Sequence, residues 1–451
     1  MKWIVLLLIL AAVPISAGLI RSNPSKAPLF WGLVGFLPFV IGPWHLMIAP
    51  YATPVWSGYV RGWEISLLDA LAVAILLVMP KRSWRKPANL FLLLIYILSV
   101  TLAVSQAKFP MFAWSYVIQL VRAAIVFLAV ARVTEYEKGE RALLIGLACG
   151  IALQAGYAIF ARFGGALQTG GSLGHQNLLG FVSHLVLMLS FAALLSGRWT
   201  KVGAVGCLSG GLAVILTVSR ATIAISLIGV ALTYFLCLTM KPTGRKLATG
   251  VLFTVAIAAA FPLANAELQR RFQLQKTTFF AADEERLAFE RAANAMIKAR
   301  PMGVGPNHYV FVANTEGYSE RAGVTWASGS RSTNVHNSYL LVAAESGYLG
   351  ILTLVFLLAG AIFTALVTAF RHRAHPSSEL LIGLACGIIA MCIHGFVEWM
   401  FVMYPTQYLF AISLGMIAGL RNRILVEVRS SALRRKMLHK MRASRLEPGS
   451  V

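Results

Sequence analysis

Charge is what this sequence has least of. Acidic residues number only 17 in 451 positions, against 40 Lys and Arg, and charged residues of both signs make up 13% of the chain. An ordinary soluble domain carries about 25%, so a water-exposed globular surface is excluded for most of the length. Cysteine is sparse as well. Cys149, Cys207, Cys237, Cys386 and Cys392 all fall inside apolar stretches and lack the paired spacing that holds zinc or an iron–sulfur cluster; they read as packing residues. What fills the chain instead is 58% hydrophobic residues, in repeated runs of about 17 to 25, the length that crosses a bilayer.

The fold class implied is an all-α polytopic membrane protein with twelve or thirteen transmembrane helices and one large, partly helical periplasmic loop. Spans are expected at about 3–20, 28–48, 64–80, 88–105, 114–131, 141–160, 176–196, 202–218, 221–240, 247–265, 338–370, 378–396 and 400–420. Pro38, Gly42 and Pro43 interrupt 28–48, which therefore reads as a broken or re-entrant element. The first run, MKWIVLLLILAAVPISA, has the outline of a secretory signal, but with so many spans behind it an uncleaved first helix is the better reading.

Net charge is +23. In a soluble protein that balance would suggest nucleic acid, but here the cations sit in alternate short connections: Lys81, Arg82, Arg85 and Lys86; Arg132, Lys138 and Arg141; Arg198 and Lys201; Lys241, Arg245 and Lys246; Arg371 and Arg373. The positive-inside rule puts these in the cytoplasm. The division expected is an integral domain, 1–420, with the loop 266–337 inserted, and a basic tail, 421–451, that lies on anionic membrane lipid rather than on nucleic acid.

The loop holds seven of the 17 acidic residues. Its segment RLAFERAANAMIKAR, 286–300, puts Phe289, Ala293, Met296 and Ile297 on one helical face, and Pro301, Gly303, Gly305 and Pro306 stop it. The Gly, Ser and Thr-rich stretch from Ala327 to Thr333 reads as a mobile flap. At the far end lies RSTNVHNSYLLVAAESGYLG, where the polar loop gives way to an apolar helix. Asn337 and Ser338 are capping residue types, so a helix should start at 337 or 338. The partial positive charge of that start opposes protonation of His336, which makes it the candidate proton acceptor; its other reading is a helix cap or interface residue.

Ionisable groups inside apolar spans cost about 2.5–3.5 kcal/mol each at a helix centre, so each is a candidate for function. Arg122 is mid-span. Asp69, His184, Glu345, His394 and Glu398 lie within or near the ends of theirs. For Asp69, His184 and His394 the preferred reading is an internal ion pair or hydrogen bond. Arg220, at the outward turn LTVSRATIAI, goes against the charge pattern of the outer connections, and its fork of donors suits phosphate oxygens better than a snorkelling role.

Four stretches together resemble the O-antigen ligase and polymerase superfamily of bacterial envelope enzymes: GSLGHQNLLGF (171–181), VSRATIAI (218–225), RLAFERAANAMIKARPMGVGPNHYV (286–310) and HNSYLLVAAESGYLGIL (336–352). The resemblance covers about 170 to 420 and implies glycosyl transfer from an undecaprenyl-diphosphate-linked oligosaccharide at the outer face of the inner membrane, with no cofactor. By the same resemblance Arg220 and Arg286 bind the donor diphosphate and His336 is the general base. Asn177, Glu345 and Arg291 have positioning roles, and Arg122 is a further substrate-binding candidate by its intramembrane position. Glu290 departs from the aromatic residue expected there and could pair with Arg286 at i,i+4.

The chemistry agrees. A diphosphate leaving group carries its own negative charge and needs cations, while an acceptor hydroxyl needs a base such as histidine. Attack opposite the diphosphate inverts the anomeric centre. No Asp-x-Asp motif supports a metal-chelated nucleotide sugar. The leading expectation is a polymerase of exopolysaccharide or O-antigen repeat units, with a chain-length regulator as candidate partner. The alternatives are a ligase moving glycan to lipid A-core or protein, and a transporter of lipid-linked sugars.

Overall fold

A computed structural model describes residues 2–80, 82, 85–274 and 276–446 of the chain. Lys81 in the first basic connection and Glu447 in the tail lie outside the described residues. The chain is almost entirely helical. In order the helices are α1 (Lys2–Ser22), α2 (Ala27–Phe36), α3 (Leu67–Val78), α4 (Leu90–Ala103), α5 (Pro110–Val133), α6 (Glu137–Phe163), α7 (Gln176–Ser196), α8 (Thr200–Leu216) and α9 (Arg220–Met240). They continue as α10 (Gly244–Leu274), α11 (Lys276–Ala299), α12 (Tyr309–Thr315), α13 (Tyr318–Arg321), α14 (Ser328–Arg331), α15 (Ser338–Arg371), α16 (Ser378–His394) and α17 (Tyr404–Leu446). Among the described residues eight helices, α1, α5, α6, α7, α9, α10, α15 and α17, are long and apolar enough to cross a membrane, and α3, α4, α8 and α16 are shorter apolar helices. This is an all-α multi-pass membrane protein.

The segment expected at 28–48 is not one continuous crossing. Helix α2 ends at Phe36, a single 3-10 turn follows through Phe39, and Met47–Ile48 then pairs antiparallel with Ile65–Ser66. Glycine lets α2 lie against α6: a Cβ at Gly35 would sit 2.7 Å from the Leu143 carbonyl oxygen, and one at Gly146 would strike the Gly32 carbonyl. Small residues at such a crossing allow the backbone contact that replaces hydrophobic drive within a bilayer.

The basic connections gather on one face, where they are knitted by carboxylates. Glu140, fully buried, meets Arg423 and Arg198 and accepts from Trp199 Nε1 at 2.5 Å and Ser377 Oγ at 2.9 Å. Lys246 pairs with Glu379 at 2.8 Å. Buried charge needs such company to be tolerated at all.

On the opposite face the connection between α9 and α15 departs from a plain loop. Helix α10 runs through to Leu274, well past the expected span end at 265. The amphipathic segment lies within α11, with Phe289, Ala293, Met296 and Ile297 buried as its spacing requires. The stretch Ala327–Thr333 contains the short helix α14, where the Arg331 guanidinium stacks on Trp326 at 4.0 Å and donates to the Val324 carbonyl at 2.8 Å.

Helix α15 is kinked at Gly347, whose φ of 67° is left-handed. The segment after α11 docks into that break. Val304 N–H donates to the Ala344 carbonyl at 2.9 Å, Gly305 N–H to the Glu345 carbonyl at 3.0 Å, and Tyr348 N–H to the Pro301 carbonyl at 3.0 Å. A kink inside a membrane helix is tolerated where neighbouring backbone takes up the freed groups, as here. The stretch from Tyr348 to Arg371, about 36 Å at 1.5 Å per residue, still suffices to cross. A Cβ at Gly347 would run into the Pro301 carbonyl and meet the Met302 carbonyl carbon at 2.5 Å. Gly347→Ala is therefore expected to cost at least about 1–3 kcal/mol from the left-handed backbone alone. It should lower the thermal midpoint of the purified protein in detergent, read by tryptophan fluorescence, although no reactive group is touched.

Candidate active site

Three chain segments converge on the carboxylate of Glu398, in the short connection between α16 and α17, and a fourth, packed against the start of α7, carries a further arginine. The first is the start of α7. Gly171 and Gly174 adopt left-handed φ values of 61° and 83°, and Gln154 of α6 fastens the loop by accepting from Ser172 N–H at 2.9 Å and donating to Ser172 Oγ at 2.7 Å. His175 caps the helix, its Nδ1 accepting from Asn177 N–H at 3.2 Å. Asn177 is thereby held so that its side-chain amide donates to Glu398 Oε1.

The second segment is the start of α15. Asn337 is its cap, as the residue types foretold: Oδ1 accepts from Tyr339 N–H at 3.0 Å and Leu340 N–H at 3.1 Å. Ser338 anchors this end to the Glu398 segment, through its N–H to the Gly395 carbonyl at 2.8 Å and its hydroxyl to the Glu398 carbonyl at 2.7 Å. That anchoring sets His336 Nδ1 at 3.2 Å from Glu398 Oε2. The third segment is α11, from which Arg286 reaches Glu398 Oε1 at 3.2 Å. One turn on, the Phe289 ring lies 5.9 Å from that of His336. Arg286 thus pairs across to Glu398, and not with Glu290 four residues along its own helix.

The fourth segment is the connection between α8 and α9. Val218 holds φ at 48°, an outlier for a β-branched residue. Its carbonyl accepts from Arg271 of α10 at 2.8 Å and from Gln168 at 3.2 Å. Ser219 caps α9, accepting from Thr222 N–H at 3.4 Å, so Arg220 is the first helical residue. The charges of Arg220 and Arg286 both act on Arg271, which brings three guanidinium groups and the N-termini of α7, α9 and α15 to one face. Helix N-termini carry partial positive charge and unpaired N–H groups, so this face is built for an anion.

Glu398 is 2% exposed. Burial pushes its pKa up, but the hydrogen bond and charge of His336, with the charges of Arg286 and His394, outweigh that and hold it below the usual carboxylate range. It stays ionised. A carboxylate can only accept, so His336 presents Nδ1–H to it, and the tautomer this selects carries its lone pair on Nε2. His175 beside them is pushed down by burial, with the carboxylate of Glu398 working the other way and His336 in the same direction. The His336 side chain is 22% exposed and that of Arg286 43%, so both are accessible.

Of the residues singled out in the sequence, His336, Arg220, Arg286 and Asn177 belong to this cluster. Three do not. Arg122 is buried among α3, α5 and α17, pairing with Asp69 at 2.8 Å and Glu64 at 3.2 Å and donating to the Tyr408 hydroxyl. It is an internal ion pair, as expected for Asp69. Arg291 donates to the Ala322 carbonyl at 2.9 Å and ties α11 to α13. Glu345 accepts from Tyr59 OH at 2.6 Å, Asn307 N–H at 2.8 Å and Tyr309 N–H at 2.9 Å, which fastens the segment docked at the α15 kink. His184 and His394 share a buried hydrogen bond at 3.0 Å, extended by Ser226 at 3.1 Å from His184.

Two members were given no role in the site from sequence: Glu398 was named only among the ionisable candidates at span ends, and Arg271 was not named. Glu398 is the one carboxylate between Glu379 and Glu427, and Arg271 belongs to an Arg270–Arg271 pair at the outward end of a span, where the charge rule disfavours cations. Both signals were available.

Comparison with curated proteins found no match. Residues 203–355 match the family model described as O-antigen ligase, an interval that holds Arg220, Arg271, Arg286, His336 and the kinked start of α15. Over that interval, about a third of its length, the chain is similar to the O-antigen ligase family.

Proposed function

We propose that the protein transfers an oligosaccharide from an undecaprenyl-diphosphate-linked donor to a sugar hydroxyl, at the periplasmic face of a bacterial inner membrane, joining repeat units into an exopolysaccharide or O-antigen. The observation that carries this is the His336–Glu398 pair with Arg286 on the same carboxylate, and Arg271 under the charges of both Arg286 and Arg220. One group accepts a proton, and the others hold the charge of a diphosphate.

In this reading the acceptor oxygen attacks the anomeric carbon while its proton passes to His336 Nε2. The bond from that carbon to the phosphate oxygen breaks, and the electron pair leaves with the diphosphate, which Arg220, Arg271 and Arg286 stabilise. Attack from the opposite side inverts the centre. Glu398 orients the imidazole and stabilises the cation formed on it, as the carboxylate of a histidine dyad does. The matched family is described as O-antigen ligase. That favours, as second reading, the same chemistry with lipid A-core or protein as acceptor.

Three outcomes follow. With purified protein, lipid-linked donor and acceptor, His336→Ala and Glu398→Gln should each lower kcat by about 10²–10⁴-fold. The double variant should be little worse than either, since the two act as a unit; multiplicative losses would separate their roles. Arg220→Lys keeps the charge but loses the fork of donors, and should raise the donor KM more than it lowers turnover of bound donor; an unchanged KM removes Arg220 from donor binding. In the native host, deletion of the gene should leave single repeats, seen on a glycan gel. Full-length chains retained on undecaprenyl diphosphate would identify a ligase instead.

A further inference from the structure

A groove of about 600 Å³ runs between α2 and α6, within the range of clefts that hold ligands, about 300–1,000 Å³. The two helices lie side by side and point the same way, since Gly32 meets Ala142, Gly35 meets Leu143 and Leu147, and Phe39 meets Gly150. Both begin at the basic face. Leu29, Leu33 and Phe36 wall the groove on α2 and Ile145 and Cys149 on α6, with the close backbone approach of Gly32 and Gly146 between them.

At the basic face the lining ends in two cations, Lys138 and Arg141 of the first turns of α6. Among the described residues neither has a carboxylate partner. The acids beside them are already engaged: Glu137 pairs with Arg198 at 2.9 Å, and the fully buried Glu140 meets Arg198 and Arg423. Arg141 packs instead 5.3 Å from the ring centre of Trp199, which holds the guanidinium in place without cancelling its charge. Neither α2 nor α6 has a side-chain cap at its start, so the partial positive charge of two helix N-termini adds to the same sign.

We propose that this groove is a binding site for one phospholipid with an anionic head, drawn from the leaflet at the basic face. Lys138 and Arg141 hold the phosphate, and an acyl chain lies along the apolar walls. From Lys138 to Cys149 the groove runs about 16 Å along α6 at 1.5 Å per residue, close to half of a hydrocarbon core of about 30 Å; it fits a lipid of one leaflet and stops where that leaflet ends. Apolar burial supplies little drive inside a bilayer, so selectivity comes from the head. A zwitterionic head brings its own cation toward Lys138 and Arg141, whereas an anionic head leaves their charge to the phosphate, as in basic pockets between membrane helices generally. The groove opens at the face opposite the His336–Glu398 pair, and lipid binding there is independent of the reaction catalysed at that pair.

The test takes the full chain, delipidated in detergent, and adds phosphatidylglycerol or phosphatidylcholine with identical acyl chains. Native mass spectrometry counts the lipid retained, and the thermal midpoint reads binding to the folded state. One phosphatidylglycerol per chain should be retained at a concentration at least about tenfold below that needed for phosphatidylcholine, and should raise the midpoint. Lys138→Gln combined with Arg141→Gln should abolish that preference. Lys201→Gln combined with Arg373→Gln, which removes two exposed cations of the same face outside the groove, should leave it intact. Ile145→Trp and Leu33→Trp fill the groove from either wall while keeping both cations, and each should weaken retention at least about tenfold; one suffices if the other fails to fold. Equal retention of the two lipids, or the same loss in both charge variants, overturns the site and leaves only the general attraction of a basic face for anionic lipid. A dimer in light scattering that Ile145→Trp or Leu33→Trp dissolves overturns it as well, with a second copy of the chain as the occupant.

Discussion

The whole arrangement depends on one buried carboxylate being kept ionised. Glu398 sits almost without solvent at the end of α16, where an unpaired charge would cost several kcal/mol. It is tolerated because Asn177, Arg286 and His336 all turn toward it. Each of those residues comes from a different segment, so satisfying this charge fixes the relative positions of α7, α11 and α15. The requirement runs in both directions: the partners stabilise the carboxylate, and the carboxylate selects the tautomer of His336 that leaves Nε2 open.

Around that centre the backbone does much of the electrostatic work. The N-termini of α7, α9 and α15 are capped by His175, Ser219 and Asn337, local devices that each satisfy one or two backbone N–H groups. The strained turn at Val218 carries a cost of about 1–3 kcal/mol, and it is held by hydrogen bonds from Arg271 and Gln168 to its carbonyl. Strain of this kind persists where the surroundings over-determine it. Here the result is that Arg220 is delivered at the first position of α9, close to a second arginine that in isolation it would repel.

How much of this could be read from the residues follows from the range of each interaction. The start of α15 was legible because capping is chemistry among neighbours: Asn337 and the N–H groups two and three residues on are all in view. The buried face of α11 was legible for the same reason, a period of 3.6. Glu398 was not paired with His336 because 62 residues and the two helices α15 and α16 separate them. Arg122 shows the converse. An arginine inside an apolar span announces that a partner exists but not which, and Asp69, 53 residues away, supplies an internal ion pair where substrate binding had been expected. Glu345 belonged to a recognisable motif, yet the motif records the docking of the Pro-Gly-Val-Gly segment against the Gly347 kink and not contact with the reactive groups.

The two faces use the same residue types to opposite ends. On the basic face, Glu140 meets Arg198 and Arg423, and Glu379 meets Lys246, so cation and carboxylate are matched within hydrogen-bond distance and the product is a bolted bundle. On the site face the balance differs: Arg286 pairs with the buried carboxylate of Glu398 while its charge and that of Arg220 act on Arg271, with three helix N-termini adding to the same sign. Like charges held this close are unfavourable unless something negative arrives to join them. A fold that assembles such an excess on one face stores electrostatic energy that an anion releases on binding there.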